Sequence, residues 1–492
     1  MTELLDVAVT AIPVPTTADA LAVRAELSRR LGPDEVFLIE DAHPDDPRGS
    51  GAGGSGAGGS GAGGLGTVVG FGRLAEIAVT GDRVHVRGDG PVADLLKARC
   101  GTATTDPWSL LREVMGLFRV RADVEGFAFG FLTTAGYEAA WLMEDLPTRA
   151  IPPDVPDLAL TLFQHTLWFP REGGSPVLRA AAGPDLPPPV SPDALAAIPA
   201  DRTPVPAAPT PLEVRDTVDR DTFLGWVRRC LDHIRVGDVY QIQVGHRIDV
   251  RTALTPEQVY RRLRARNPSP YLYLLTQAGT TLVGASPELL FRLDGDRITM
   301  RPIAGTTRRD PTGADNERRI KELQADVKEQ AEHVMLVDLC RNDIGRVCRP
   351  GTLAVEELMV VEAFSHVFHL VSTVTGTLEP ERDVWDVLRA TFPAGTMTGT
   401  PKVRAMEIID GIEVERRGPY AGAVGLVDVR GWAELALCIR TISHREPAPG
   451  DHRYATQSCA GVVALSVPER EWDETLAKMG AAHWALTGEE PS

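Results

Sequence analysis

The chain is poor in cysteine, and the six it has (Cys100, Cys230, Cys340, Cys348, Cys438 and Cys459) lie far apart with no C-x-x-C unit. That excludes a disulfide framework and a zinc ribbon as organising devices, and the thiols are expected to be reduced. None stands in a G-x-C-x-G context, so the nucleophile elbow of a thiol-dependent amidotransferase is missing. Positive charge is also in deficit: 51 Lys and Arg against 68 Asp and Glu give a formal net charge of -17, which argues against a nucleic-acid surface. Long apolar runs are absent too. The opening MTELLDVAVTAIPVP has no basic n-region, apolar core or cleavage signature, and no later stretch is long enough to span a membrane. A soluble cytoplasmic protein is expected, with neither nucleic acid nor membrane as partner.

What is present is length and alternation. The 492 residues suffice for a large core. The spacing predicts a short helix over 18–31 and a strand over 36–41 (VFLIED), then a thrice-repeated GSGAG between 49 and 63 that reads as a flexible surface loop. Short strand-like runs follow over 67–88, and residues 107–120 read as a helix with Leu110, Val114 and Leu117 on one face. Prolines crowd 183–210, which marks a linker between an N-terminal region, 1–182, and a C-terminal region, 211–492. Beyond it come a predicted helix over 219–235, a strand over 239–250, and mixed β and α signals without a βαβ repeat. The expected class is α+β, a large antiparallel-sheet sandwich flanked by helices.

The stretch 391–425 concentrates small residues, hydroxyls and a few cations. Gly395, Thr396, Thr398, Gly399 and Thr400 form a turn-rich loop whose exposed N–H groups and hydroxyls suit a carboxylate or phosphate. Pro401 stands where helices begin, and Val403, Met406 and Ile409/Asp410 follow at helical steps. From composition alone the loop is either an anion site at a helix N-terminus or a glycine-rich connection.

Two acidic pairs share one spacing. In 321–343, Leu323, Val327, Ala331 and Val334/Met335 recur as in a helix and put Glu329 and Glu332 three apart on one side; in 470–479, Glu471 and Glu474 repeat the step, with Lys478 four further on. Such pairs are common on solvated faces, yet two together offer the oxygen ligands Mg²⁺ prefers. His366 and His369, three apart in a strand-like VFHLVSTV, point to opposite faces. That suits a hydrogen-bonding or acid–base role better than a zinc pair.

Taken together, NPSPYLYLL (267–275), GASPELLF (284–291), PIAGTTRR (302–309), KEQAEHVMLVDLCRNDIGRVC, SHVFHLVSTVTG, FPAGTMTGTPKVRAMEIID, GPYAGAVG and EREWDET resemble the chorismate-utilising enzymes, and within them anthranilate synthase component I. The segments run in unbroken order from about 215 to 478, while the N-terminal part resembles the family loosely. The resemblance implies direct Mg²⁺ ligation by Glu332 and Glu474, with Glu329 and Glu471 helping through water. It implies substrate carboxylates held by Arg440, Lys478, Tyr420 and backbone around Gly461. Glu288 of SPE is implied as the general acid for the leaving hydroxyl, and Thr306, His369 and Thr398 as pocket lining.

Two positions bear on the branch. Water-using members carry a lysine base where this chain has Gln241, and members making 4-amino-4-deoxychorismate carry a lysine nucleophile where it has Ala304. The resemblance therefore implies amination at C2, giving 2-amino-2-deoxyisochorismate, followed by loss of pyruvate to anthranilate. An enzyme that stops at the aminated compound, or a non-catalytic regulatory relative, are the alternatives. Ammonia would come from glutamine through a separate amidotransferase subunit, and an oligomer is expected. Two departures stand out. Gln457-Ser458-Cys459-Ala460-Gly461 replaces the family's QAGAG, and Leu38-Ile39-Glu40-Asp41 replaces LLES, the partner of NPSPY in tryptophan feedback. Weak or absent tryptophan inhibition is expected.

Overall fold

The apolar runs become strands wherever alternate or continuous burial can be satisfied. Val36–Glu40 and Tyr271–Gln277 are buried on both faces, and they pair with each other. The computed structural model describes residues 4–42, 65–147, 153, 155–171, 173–310, 312–364 and 367–491. The GSGAG repeats and His366 lie outside them.

Among the described residues all strands join one hydrogen-bonded network, antiparallel except where Leu5–Pro13 runs parallel to Phe118–Ala122. The fold is an antiparallel-sheet sandwich flanked by helices. Pairing crosses residue 211 twice: Val36–Glu40 with Tyr271–Gln277, and Gly130–Ala135 with Ala423–Asp428. The proline-dense segment holds the short helix Pro192–Ala196, capped by Ser191, and buries Leu195 and Ile198 against the core.

Local chemistry explains most element ends. Asp19 caps Ala20–Leu31 through Ala22 N, and Asp219 caps Arg220–Arg235 through Thr222 N. Three expectations need correction. The helix expected over 107–120 stops at Met115; Gly116 follows, and Phe118–Ala122 is already a strand. The helix expected over 321–343 is two helices, Asn316–Ala325 and Val327–Gly345, split at Asp326, whose side chain accepts from Lys328 N and Glu329 N. With Val327 78% and Val334 44% exposed, the apolar stripe read across that break is not a buried face; His333, Leu336, Val337, Cys340 and Ile344 supply it. Finally, the loop at 395–400 does not expose its backbone. Gly395, Met397, Thr398 and Gly399 are buried, Gly395–Met397 is a 3₁₀ turn, and Gly399–Thr400 pairs with Gln241 and Ile242. The loop is wedged between strand Gln241–Arg251 and helix Val327–Gly345, where a Cβ on Gly395 would lie 2.8 Å from Leu339 Cδ1.

Candidate active site

Glu288 follows Pro287 in the short connection between strands Thr280–Ser286 and Leu289–Asp294. Its carbonyl accepts from Leu437 N at 3.0 Å, which fixes the backbone, and its carboxyl accepts from Thr396 Oγ1 at 3.3 Å. Burial dominates its electrostatics and pushes the carboxyl up to about 8; the Thr396 hydrogen bond and the Lys478 charge pull the other way and lose. A buried carboxylic acid that keeps its proton at neutral pH is the form a general acid needs.

A second wall is built by strands Gln241–Arg251 and Arg453–Val462, paired so that Gln243 opposes Gly461 and Gly245 opposes Cys459. Because alternate residues share a face, Gln241, Gln243, Cys459 and Gly461 are presented together. Gly461 leaves room for both amides, since a Cβ would lie 2.9 Å from Gln243 Nε2 and 3.1 Å from Gln241 Nε2 and would push them aside. Two amide groups thus converge over bare backbone. Gln241 is 8% exposed, and its Oε1 has no hydrogen-bond partner among the described residues.

Cations close the site. Arg440 takes a left-handed backbone, φ 52°, at the head of strand Thr441–Arg445, and its guanidinium donates to Lys478 O at 2.7 Å. Lys478 donates to Cys459 O at 3.0 Å and pairs with Glu474 at 2.6 Å. Tyr420 is buried, with its hydroxyl on Cys459 Sγ at 2.9 Å. His369 contacts Thr306 Oγ1 at 3.0 Å and Gly305 O at 3.2 Å through Nδ1. A carbonyl only accepts, so Nδ1 carries the proton and Nε2 keeps its lone pair. Burial, with Arg440 adding to it, lowers His369 to about 4, so the ring is neutral at neutral pH. Thr398 is fully buried and spends its hydroxyl on Ala394 O at 3.1 Å; the loop's contact with the acid comes from Thr396 instead.

The four glutamates project from helices Val327–Gly345 and Pro468–Thr487. Burial raises Glu329, and the charges of Glu332 and, across the gap, Glu474 raise it further; burial and Glu474 raise Glu471. Carboxylates that repel each other from two helices, all offering oxygen, fit a hard divalent cation. They are not drawn into a cage: among the described residues no three His, Cys, Asp or Glu side chains converge, and Glu332 pairs with Lys328 at 3.6 Å.

A larger cavity of about 480 Å³ lies beyond Tyr420, lined by Arg215, Arg247, Arg251 and Arg453. These arginines are paired with Asp249, Glu415 and Asp451. The acid and the glutamates lie elsewhere, and only Tyr420, among the side chains placed in the site, reaches that cavity.

The profile of the chorismate binding enzymes matches residues 62–483. The chain belongs to this family. It is 44% identical over 490 residues to a 2-amino-4-deoxychorismate synthase of Streptomyces globisporus, covering 96% of this chain and 95% of that protein. It is 42% identical over 400 residues to anthranilate synthase component 1 of Streptomyces coelicolor, 76% of each chain. Among solved structures, anthranilate synthase component I from Streptococcus pneumoniae superposes with a TM-score of 0.70 at 30% identity, covering 84% of this chain and 91% of that one. The protein is a chorismate-utilising enzyme of the anthranilate synthase and aminodeoxychorismate synthase type. No helix among the described residues is long and apolar enough to cross a membrane.

Hydrogen bonds and an ion pair link Lys478 to Arg440, Glu474 and the Cys459 carbonyl, while the charge of Lys478 acts on Glu288 and that of Arg440 on His369. Gln243 was not singled out from sequence; the alternation in QIQV, which puts it on the face of Gln241, was the available signal. Arg417, which anchors this wall from behind, carried no signal beyond an RR pair.

Glu288→Gln keeps shape but cannot donate an acidic proton. Turnover of chorismate is expected to fall by about 10²–10⁴-fold, with chorismate binding retained by calorimetry. In the parent enzyme kcat/KM is expected to decline as pH rises through about 8, where the carboxyl loses its proton. Near-normal turnover by the Gln variant would remove Glu288 as the acid.

Proposed function

We propose that this enzyme aminates chorismate at C2 with ammonia and releases 2-amino-2-deoxyisochorismate. The observation that carries the choice of nucleophile is Gln241: a buried amide whose oxygen has no partner among the described residues stands where a water-using member would need a base. An amide cannot take a proton from water, but its Oε1 can accept an N–H of ammonia and aim the nitrogen lone pair. Ala304 leaves no amine for covalent attack at that position.

In the proposed reaction ammonia adds at C2, the conjugated double bonds shift toward C4, and the C4–O bond breaks. Glu288 protonates the departing hydroxyl, which leaves as water, and the added nitrogen gives up its extra proton. Arg440 and Lys478, with the backbone at Gly461, hold the carboxylates. Glu332 and Glu474, helped through water by Glu329 and Glu471, would hold Mg²⁺, which when bound neutralises the ring carboxylate. Release is supported by the 44% identity to the 2-amino-4-deoxychorismate synthase, above the 38% and 36% to anthranilate synthase components that also span nearly the whole chain: 2-amino-4-deoxychorismate names nitrogen at C2 and no hydroxyl at C4, the substituents of 2-amino-2-deoxyisochorismate. The specific observation favouring anthranilate as the product is the neutral His369, paired with Thr306 through Nδ1 and with Nε2 unbonded among the described residues. Ammonia would be delivered by a separate glutamine amidotransferase subunit, because the chain lacks a nucleophile elbow.

With chorismate, Mg²⁺ and an ammonium salt, mass spectrometry is expected to find the aminated, non-fluorescent product, and glutamine alone is expected to give none. Fluorescent anthranilate as the sole product would overturn release.

Tryptophan control is proposed to be weak. The segment 38–42 does meet 267–275, through the Leu272 and Glu40 pairing and Ala42 N on Ser269 O at 3.1 Å. Its acidic side chains, however, are committed: Glu40 to Tyr260 and Arg264, and Asp41 to Arg171. Millimolar tryptophan is expected to leave the initial rate unchanged; strong inhibition would contradict this.

A further inference from the structure

We infer that Cys459 is the positioning residue that decides whether the aminated compound leaves or goes on to lose pyruvate. The inference rests on the amination reading above and concerns the step after it.

Tyr420 donates its hydroxyl proton to Cys459 Sγ at 2.9 Å, and Sγ donates to Gln243 Oε1 at 3.0 Å. The string is dry: Tyr420 is 7%, Cys459 2% and Gln243 7% exposed. It is also directional, because a phenol has one proton and a thiol has one, and both are used. The amide orientation follows, with Gln243 Oε1 toward sulfur and Nε2 toward Gly461, where a Cβ would lie 2.9 Å away. Beside it, Gln241 Oε1 is buried without a partner among the described residues.

Cys459 is built into the ladder. Gly245 faces it, and a Cβ on Gly245 would lie 2.9 Å from Cys459 Cβ, so the thiol projects where the facing residue carries no side chain. Lys478 donates to the Cys459 carbonyl, which ties the strand at this residue to the helix that carries Glu471 and Glu474.

The chemistry follows from where the protons go. Loss of pyruvate from the aminated compound breaks the C2–H and C3–O bonds. Enolpyruvate leaves with the C3–O electron pair, the C2–H electrons complete the aromatic ring, and the methylene of enolpyruvate takes up a proton to become pyruvate. No oxidant is needed, and the products are anthranilate and pyruvate. The step requires the enolpyruvyl carboxylate to stay fixed after amination. Tyr420 stands among the groups that can grip it, yet while the string holds, its only proton points at sulfur and its oxygen offers a carboxylate lone pairs rather than a donor. The arm is held by one donor fewer, and departure outruns elimination. Glycine or alanine at 459 would free the Tyr420 proton for the carboxylate.

The test compares wild type, Cys459→Ala, Cys459→Ser and the double variant Cys459→Ala with Tyr420→Phe, at saturating chorismate, Mg²⁺ and ammonium. The aminated compound, anthranilate and pyruvate are quantified together by mass spectrometry. Freeing a hydrogen bond to a charged group is expected to raise the ratio of anthranilate to aminated product about tenfold in Cys459→Ala. Serine, whose hydroxyl can pass the string on, is expected to keep the wild-type ratio, and the double variant is expected to lose the gain. An unchanged ratio in Cys459→Ala, with wild type releasing the aminated compound, overturns the role of Cys459 and leaves the amination reading intact. A wild type that yields anthranilate alone overturns both. Should the alanine variant fail to fold, a Cys459→Ser ratio unlike wild type overturns the role on its own.

Discussion

The buried ion pair between Arg417 and Glu413 holds the active-site wall in register. Neither side chain reaches solvent to any useful extent, with 0% and 3% side-chain exposure. Arg417 spends its fork on Glu413 at 2.7 and 2.9 Å, on Met397 O at 2.7 Å and on Gln243 O at 3.0 Å, and its guanidinium lies 4.6 Å from the Tyr137 ring. Glu413 in turn accepts from Gly245 N at 3.0 Å, and Glu138 accepts from the backbone N–H groups of Arg417 and Gly418. Two charges withdrawn from water are costly unless every donor and acceptor is met, and here they are met by three separate parts of the chain. The strand that presents Gln241 and Gln243, the loop that presents Thr396 and the turn that presents Tyr420 are therefore fixed to one another.

The site holds two electrical environments. On one side the dry setting of Glu288 favours its neutral acid form, although Lys478 pulls toward ionisation. On the other, carboxylates from two helices crowd together and raise Glu329 and Glu471. A small dicarboxylate that must lose a hydroxyl needs both: a proton held ready at one end and a cationic grip at the other. Arg440, in its left-handed backbone, joins the two by reaching the Lys478 carbonyl and biasing His369 toward its neutral form.

How far sequence foretold this depends on the range of the interaction. Helix Arg220–Arg235 was legible because its cap and its apolar period are local. The two glutamate pairs were legible as pairs, and the facing of their helices was supplied by family likeness rather than spacing. The break at Asp326 escaped because an aspartate can cap a new helix inside a periodic pattern, and the early end at Met115 escaped because Leu117 continues the apolar step from Leu110 and Val114. The loop at 395–400 read as exposed from its glycines and threonines. Burial came from Leu339 and strand Gln241–Arg251, neither of them near in sequence. The string from Tyr420 through Cys459 to Gln243 is wholly tertiary, so Cys459 was visible only as a departure.

The central claim is that the amide at position 241 selects ammonia over water. Gln241→Lys, incubated with chorismate and Mg²⁺ without any ammonia source, tests it most directly. The account predicts that the lysine variant adds water and forms isochorismate, which wild type does not. A lysine variant that still requires ammonia and aminates at the wild-type rate would contradict it.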